Sequence, residues 1–319
     1  MRVAVIGLGV IGKVHIKVIR ETEDELVAVC DTDEEKLALY PDVKGYTDYV
    51  TMLDEIKPDI VHICTPHYLH TEMILDSLKR DIHTLCEKPI CIKEEDIPII
   101  LEAEKRSKAQ LGVCFQNRYN PATMFVKEYL QDQQLLSAHG ELRWHRDKNY
   151  YAQDQWRGKK ATEGGGVLIN QALHTIDLLQ YFCGMPKSVT AVCENRTLQG
   201  VIDVEDTANV TMYGKNEATM YATNAADKDY PVEITFKTHE AEICMQSDYV
   251  WINGEAYDCK QEGERYGKKV YGVGHRGLIN DFYDCVKTGR KFLIDGSEAV
   301  KAVKIVLAAY SSKGLEVNC

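Results

Sequence analysis

Three short segments of the sequence carry residue types that can do chemistry. The first is Gly7-Leu8-Gly9-Val10-Ile11-Gly12, which follows an apolar run and precedes an amphipathic one. In this pattern the first glycine allows a tight turn, the second lets the backbone approach a pyrophosphate, and the third lets helix and strand pack closely. The free N–H groups at the start of the helix favour phosphate charge. The segment predicts a dinucleotide site; an ordinary strand–helix turn is the alternative.

Asp31 lies about 20 residues beyond this loop, after the next apolar run. An acid at this point can accept hydrogen bonds from the adenosine ribose hydroxyls, and it would repel a 2′-phosphate. No basic residue is adjacent to Asp31 in the sequence. We therefore expect NAD as the cofactor, with NADP disfavoured. The alternative is a solvated turn acid.

The second segment is Glu87-Lys88-Pro89, directly after the apolar Thr84-Leu85-Cys86. A lysine there is costly unless it has a partner or a task, and pairing with Glu87 is the alternative to a chemical role. Thr65-Pro66-His67-Tyr68-Leu69-His70 follows another apolar run. Ligands of open parallel sheets bind at the carboxyl ends of the strands, so we expect Thr65, Pro66, His67, Glu87 and Lys88 at the cofactor. His70 either joins them or simply begins a helix.

The third segment runs from Gly164-Gly165-Gly166 to Asp177. We predict a helix over residues 167–182, which would place Asn170, His174 and Asp177 on one face. One histidine, one amide and one acid are not a typical metal ligand set, so we expect no metal. A polar stripe on an apolar helix suits an active-site cleft, and a hydrogen-bonded core histidine is the alternative.

The elements that would position these segments differ between the two halves of the chain. In the first half, apolar runs that read as strands buried on both faces alternate with helix-like segments, which predicts a doubly wound parallel sheet of the Rossmann type. After Asn120-Pro121, alternating strands and turn signals predict an α+β domain with a large, mostly antiparallel open sheet. We expect a dinucleotide-binding domain over 1–120 and a substrate-binding and oligomerisation domain over 121–319, the last helix packing back on the first domain.

Composition limits the classes of partner. The chain has 319 residues and a formal charge of -11, which disfavours nucleic acid. No apolar stretch approaches the roughly 20 residues that span a bilayer, so we expect no membrane partner. The eleven cysteines include no C-x-x-C pair and are odd in number, and no export segment stands ahead of the first strand. Together these features predict a cytoplasmic protein.

The motifs taken together resemble the glucose–fructose oxidoreductase/inositol dehydrogenase/rhizopine catabolism (Gfo/Idh/MocA) family. The resemblance covers essentially the whole chain, because the motifs occur in the family's order. Besides the three segments above, they are Gln116-Asn117-Arg118-Tyr119-Asn120-Pro121, Trp156-Arg157-Gly158 and Gly289-Arg290…Asp295-Gly296.

The resemblance implies roles for single residues. Lys88 would lie by the nicotinamide and the substrate hydroxyl, with the peptide before Pro89 often cis, and His174 would be the usual acid/base residue. Polyol dehydrogenases of the family commonly have an aspartate where this chain has Asn170, which can bind a sugar hydroxyl but cannot take its proton. Gln116 would join the cofactor contacts. Tyr151, Trp156 and Arg157 would be walls of the substrate pocket.

These features predict an NAD(P)-dependent oxidoreductase that acts on a secondary alcohol or ketone of a sugar, polyol or sugar derivative. Two alternatives are an NAD-dependent glycosidase or eliminase with transient oxidation, and a non-catalytic sugar-responsive regulator. A regulator would be expected to lose Lys88 or His174, and both are present. The family resemblance also implies a homodimer or homotetramer formed through the C-terminal sheet.

Overall fold

The computed structural model describes residues 1–260 and 272–319, which form two units. Unit 1 contains Met1–Cys91, Glu95–Phe115 and His275–Val300, and unit 2 contains Ile92–Glu94, Gln116–Gly274 and Lys301–Cys319. The chain therefore returns to unit 1 after residue 274. A single boundary at residue 120 would leave His275–Val300 outside unit 1. The division into domains 1–120 and 121–319 stays a prediction.

Unit 1 is built on parallel strands that alternate with helices. Its elements in chain order are β1 (Arg2–Ile6), α1 (Val10–Ile19), β2 (Glu25–Cys30), α2 (Glu34–Leu37), β3 (Lys44–Tyr46), α3 (Tyr49–Ile56), β4 (Ile60–Ile63), α4 (His70–Lys79), β5 (His83–Glu87), α5 (Asp96–Arg106) and β6 (Leu111–Cys114). The strands join in the order β3-β2-β1-β4-β5-β6, with every pairing parallel.

This sheet confirms the predicted doubly wound fold. The strands β1, β4 and β6 are buried along nearly their whole length, as their unbroken apolar runs predict. The sequence analysis missed β3, a three-residue strand of Lys, Gly and Tyr, and the eight-residue helix α3. Asp48 caps α3 by accepting a hydrogen bond from the Thr51 N–H at 2.7 Å.

Unit 2 is an α+β unit. Its elements are α6 (Pro121–Tyr129), β7 (Leu135–Arg143), α7 (Lys148–Ala152), α8 (Lys160–Glu163), α9 (Leu173–Cys183), β8 (Ser188–Glu194), β9 (Thr207–Tyr213), β10 (Glu217–Thr223), β11 (Glu233–Thr238), β12 (Glu242–Met245), β13 (Tyr249–Ile252) and β14 (Glu255–Asp258). The chain ends with α10 (Gly274–Thr288), α11 (Gly296–Ser312) and β15 (Val317–Asn318).

The strands of unit 2 join in the order β14-β13-β12-β11-β7-β10-β9-β8-β15. Neighbours are antiparallel except β7 and β10, which confirms the predicted mostly antiparallel sheet. The helix α9 packs on β7: a Cβ added to Gly140 would lie 2.8 Å from the Thr175 side chain. Asn253 and Gly254 have φ of 50° and 86°, which is the turn expected between β13 and β14.

The predicted helix over 167–182 is wrong in its first turns, because α9 begins at Leu173. The N–H groups of Gly166 and Leu168 donate to the Glu205 carboxylate at 2.9 and 3.0 Å, and the Val167 N–H donates to the Glu205 carbonyl. These bonds hold the glycine segment in a turn against the chain at Glu205. Asn170 therefore lies in the turn that precedes the helix carrying His174, and not on that helix.

Candidate active site

The glycine loop of unit 1 requires glycine at two of its three positions. Gly7 has φ +92°, and a Cβ there would lie 2.6 Å from the Cys64 carbonyl oxygen. A Cβ on Gly12 would lie 1.9 Å from the Gly7 carbonyl oxygen. The loop between β1 and α1 thus folds tightly over the end of β4, which is the packing that the sequence pattern predicts.

The start of α1 is open in the way that a phosphate ligand needs. A Cβ built on Gly9 meets no atom within 4 Å, and no side chain among residues 1–260 and 272–319 caps the helix. Val10 is 64% exposed. The first N–H groups of the helix and its dipole therefore face accessible space, which fits the pyrophosphate of a dinucleotide.

Asp31 is held beside this loop. Its Oδ2 accepts a hydrogen bond from the Leu8 N–H at 2.8 Å, and its Oδ1 lies 3.4 Å from Lys36 Nζ. Lys36 is five residues along the chain, so the absence of an adjacent basic residue in the sequence did not reveal this cation. The carboxylate keeps acceptor capacity for ribose hydroxyls, and Lys36, 41% exposed, offsets part of its charge.

The segment after β4 is tied to the segment after β5 by His70. This buried ring lies with Nδ1 2.7 Å from the Pro89 carbonyl oxygen and Nε2 2.9 Å from the Thr65 carbonyl oxygen. Burial lowers the pKa of His70, although both carbonyls act to raise it. The ring bridges two loops at the carboxyl edge of the sheet, so its geometry supports a positioning role. His67 lies against it, with ring centroids 6.0 Å apart.

Lys88 follows β5 directly, and the Lys88–Pro89 peptide is cis. The preceding Glu87 is only 6% exposed, and its Oε1 accepts a hydrogen bond from His15 Nε2 at 3.0 Å. Burial acts to raise the pKa of Glu87, but the hydrogen bond and charge of His15, with His275 and Lys88, lower it to about 2. Glu87 is therefore a buried anion next to a half-buried lysine.

A buried hydrogen-bond chain behind Glu87 was missed by the sequence analysis. His15 Nδ1 lies 2.7 Å from His62 Nδ1, and His62 Nε2 lies 2.9 Å from the Tyr283 hydroxyl. An ionised carboxylate can only accept, so His15 Nε2 donates to Glu87. With His15 neutral, its Nδ1 accepts from His62, and His62 Nε2 accepts from the Tyr283 hydroxyl. The one sequence signal was a histidine inside the apolar Ile60-Val61-His62-Ile63.

The same cluster contains three atoms of metal-ligand type. One atom each from His15, Glu87 and His275 lies within 4.8 Å of the others. The His15–Glu87 hydrogen bond accounts for two of these atoms. The expectation that the chain holds no metal stays a prediction, which metal analysis of the purified protein would check.

His174 lies in the first turn of α9, in unit 2. Gln116 Nε2 lies 3.4 Å from His174 Nε2, and an amide N–H can only donate, so this contact makes Nε2 the acceptor nitrogen. Gln116 is buried, and its Oε1 has no hydrogen-bond partner among the described residues. A buried acceptor of this kind fits a ligand that supplies a donor.

Asp177 is explained by a partner other than a substrate. Arg118 donates to both of its carboxylate oxygens, at 2.8 and 2.6 Å, and both side chains are buried. This bidentate ion pair joins the segment before α6 to α9. Of the three polar residues predicted to share one helix face, only His174 and Asp177 lie on α9.

The three residues predicted to form walls of the substrate pocket lie in two different environments: Tyr151 in a hydrophobic cluster, and Trp156 and Arg157 beside each other in a polar one. Tyr151 is buried against Leu198, Ile202 and Val204. Its hydroxyl accepts a hydrogen bond from Asn224 at 3.1 Å. The wall role of Tyr151 stays a prediction, which this packing does not favour.

Arg157 and Trp156 lie together, with the guanidinium 4.6 Å from the Trp156 ring centroid. Arg157 also donates to Asp154 and to the Tyr150 hydroxyl, each at 2.7 Å. This gives Tyr150, which the sequence analysis passed over, a closer link to Arg157 than Tyr151 has.

The glycine loop, the acid after β2 and the lysine after β5, on a doubly wound sheet followed by an open antiparallel sheet, define a nicotinamide-dinucleotide-binding oxidoreductase scaffold. Two family models match the chain. One describes an oxidoreductase family with an NAD-binding Rossmann fold and matches residues 1–115. The other describes the GFO/IDH/MocA C-terminal domain and matches residues 133–244. The chain belongs to the Gfo/Idh/MocA family, and its first unit is of the NAD-binding type.

Individual relatives agree with this assignment. D-glucoside 3-dehydrogenase from Escherichia coli is 31% identical over 209 residues, which are 60% of this chain and 57% of that protein. The chain thus spans little more than half the length of that relative, and the match to levoglucosan dehydrogenase of Pseudarthrobacter phenanthrenivorans covers 53% of it. Inositol 2-dehydrogenase from Rhizobium meliloti is 28% identical, with 98% of this chain and 96% of that protein covered.

A solved structure has the same fold. It is the WlbA dehydrogenase from Chromobacterium violaceum in complex with NADH and UDP-GlcNAcA, with a TM-score of 0.87 and 26% identity. The comparison covers all of this chain and 96% of that one. Among the described residues of the present protein, no helix has the length and apolar character needed to cross a membrane.

Proposed function

We propose that this protein transfers a hydride between NAD and a secondary alcohol or ketone of a sugar, polyol or sugar derivative. The observation that carries the proposal is the position of Lys88. It follows β5 of the same parallel sheet whose β1–α1 loop fits a pyrophosphate, so both lie at the carboxyl edge of that sheet. The sugar and inositol dehydrogenases among the relatives support the substrate class.

Bound NAD supplies the hydride acceptor, and the chain orients the reactants and handles the proton. A free lysine titrates near ~10.4 and is a poor base at neutral pH, whereas histidine starts near ~6.5. We assign His174 as the general acid/base that exchanges the hydroxyl proton. Lys88 orients and polarises the reacting oxygen, and Asn170 binds a sugar hydroxyl.

The test is turnover of a substrate panel by the wild type and two variants. The panel contains myo-inositol, levoglucosan and methyl D-glucoside, after the three named dehydrogenases, and UDP-GlcNAcA, which is bound in the similar solved structure. Lys88→Ala and His174→Ala should each cut kcat roughly 10²–10⁴-fold while NAD binding persists. Lys79→Ala and His239→Ala, at exposed positions, serve as matched controls. Near-normal kcat for His174→Ala across pH 6–9 would show that the histidine is structural.

We also propose a homodimer or homotetramer formed through the sheet of unit 2. The sheet face opposite α9 presents polar side chains, as shown by His139 Nδ1, which lies 2.8 Å from the Thr219 hydroxyl of the neighbouring strand. A partner on this face would be recognised through hydrogen bonds. A monomer in light scattering at micromolar concentration would contradict this proposal. A cytoplasmic location is likewise proposed, and the eleven free cysteines support it.

A further inference from the structure

The side chain of Glu163 is buried at the end of α8, directly before the triple glycine. It is only 1% exposed, yet both of its carboxylate oxygens have N–H donors. The Gly158 N–H donates to Oε2 at 2.5 Å, and Asn170 Nδ2 donates to Oε1. Two donors on two oxygens satisfy a carboxylate that is removed from water.

This contact decides which way the Asn170 amide faces. An asparagine can present either its NH₂ donor or its oxygen acceptor to a ligand, and the two ends are set by the surrounding hydrogen bonds. A carboxylate accepts and does not donate, so the NH₂ end of Asn170 must face Glu163. The oxygen end then lies on the side of the amide away from Glu163.

We propose that Glu163 is a positioning residue that fixes Asn170 as a hydrogen-bond acceptor for a hydroxyl of the substrate. The inference rests on the proposed sugar dehydrogenase function and deepens it. The substrate would be a compound with a hydroxyl group beside the reacting carbon, donating to Asn170 Oδ1. Since an amide oxygen cannot take the proton, proton transfer remains with His174.

The Glu163–Asn170 pair also bears on the absence of an aspartate at position 170, where polyol dehydrogenases of the family commonly have one. An aspartate at position 170 would present acceptor oxygens, as Asn170 does at the oxygen end of its amide, away from Glu163. The negative charge lies on Glu163, one side chain further from the substrate. Among the described residues, its charge acts on Tyr150, Tyr151 and Arg157, whose pKa values it helps to raise.

Exchanging the two functional groups tests the inference. The variants are Asn170→Asp, Glu163→Gln and the double variant, with Glu217→Gln at an exposed position as a control. They are compared by kcat and KM at pH 6–9 on the panel compound that the wild type uses best. Asn170→Asp places two carboxylates together, which raises the pKa of the pair.

We expect Asn170→Asp to lose roughly tenfold or more in kcat/KM at pH 9, mainly through KM, and less at pH 6, where the pair shares a proton. In the double variant the amide introduced at position 163 can donate to the carboxylate introduced at position 170, which restores an acceptor facing the substrate. Its kcat/KM should return to within about threefold of the wild type and lose the added pH dependence.

Two results would overturn the inference. A double variant no better than Asn170→Asp, or four proteins with equal kcat/KM, would show that Glu163 does not orient Asn170 for the substrate. If the wild type turns over no panel compound, the result contradicts the proposed function itself. The role inferred for Glu163 in substrate binding would then be contradicted as well.

Discussion

Two buried carboxylates precede the predicted site residues of the two units, and the hydrogen-bond donors to the two carboxylates differ in kind. Glu87, before Lys88 in unit 1, is hydrogen-bonded by His15, which belongs to a chain of imidazole and phenol groups. Glu163, before the triple glycine in unit 2, is hydrogen-bonded by a backbone N–H and the amide of Asn170. The described donors to Glu87 include an imidazole, which can gain a proton, whereas the described donors to Glu163 are amide N–H groups, which cannot.

The difference concerns how the two sets of hydrogen-bond donors respond to pH. Burial lowers the pKa of His62 well below its ordinary value and that of His275 to about 4, so these two rings are neutral at pH 7. In acid, the unfolded chain binds protons that these buried rings do not, so the free energy of unfolding falls. The Gly158 N–H and the Asn170 amide, which donate to Glu163, do not change charge with pH.

The largest expected effect comes from removing each carboxylate. Glu87→Ala should lower the free energy of unfolding by about 3–5 kcal/mol, because it removes the buried anion beside Lys88 and leaves the His15–His62–Tyr283 chain without its acceptor. Glu163→Ala should cost about 1–3 kcal/mol, since its two described donors, the Gly158 N–H and the Asn170 amide, are neutral. Urea unfolding at pH 7 measures both, with Glu217→Ala as the exposed control. Equal costs would remove the distinction between the two sites.

The pH dependence of the free energy of unfolding should show a smaller effect than the removal of Glu87. The folded protein keeps His275 neutral to about pH 4, while the unfolded chain binds that proton near 6.5. The stabilisation is therefore complete above pH ~6.5 and is lost as the pH falls toward 4, a change of roughly 3 kcal/mol for this group.

His275→Gln should flatten the dependence of unfolding free energy on pH in this window. His239→Gln, at an exposed position, should leave it unchanged. If both variants keep the wild-type dependence, then burial of His275 does not control acid stability.

Cofactor choice should show the smallest effect. The Asp31 carboxylate repels a 2′-phosphate, and Lys36 at 3.4 Å weakens that repulsion. Asp31→Ser should reduce the preference for NAD over NADP by roughly tenfold, and Lys36→Ala should increase it slightly, by calorimetric titration of both cofactors. A preference unchanged in Asp31→Ser would show that the carboxylate does not face the adenosine ribose.

The parts of this protein that sequence could predict are those set by local pattern. The glycine loop, the buried strands of unit 1 and the lysine after β5 follow from residues close together in the chain. The Glu87 network could not be predicted in this way, because Tyr283 lies 221 residues from His62.

The start of α9 was predicted too early for the same reason, because contacts with residues distant in sequence determine it. The Glu205 carboxylate that takes the Gly166 N–H lies 39 residues away. A turn held by such a distant group has no periodic signature, so the apolar pattern of 167–182 predicts helix throughout. The Glu163–Asn170 pair is local by comparison, but hydrogen bonding between them depends on that turn.

The most direct test of the central claim is the stoichiometry of NADH against consumed substrate. Purified protein is incubated with NAD and each panel compound, and both NADH absorbance and loss of the compound are followed. A dehydrogenase should form one NADH for each molecule of substrate oxidised, and Lys88→Ala should abolish both signals together. Consumption of substrate without net NADH would contradict the account and indicate transient oxidation, as in an NAD-dependent glycosidase or eliminase.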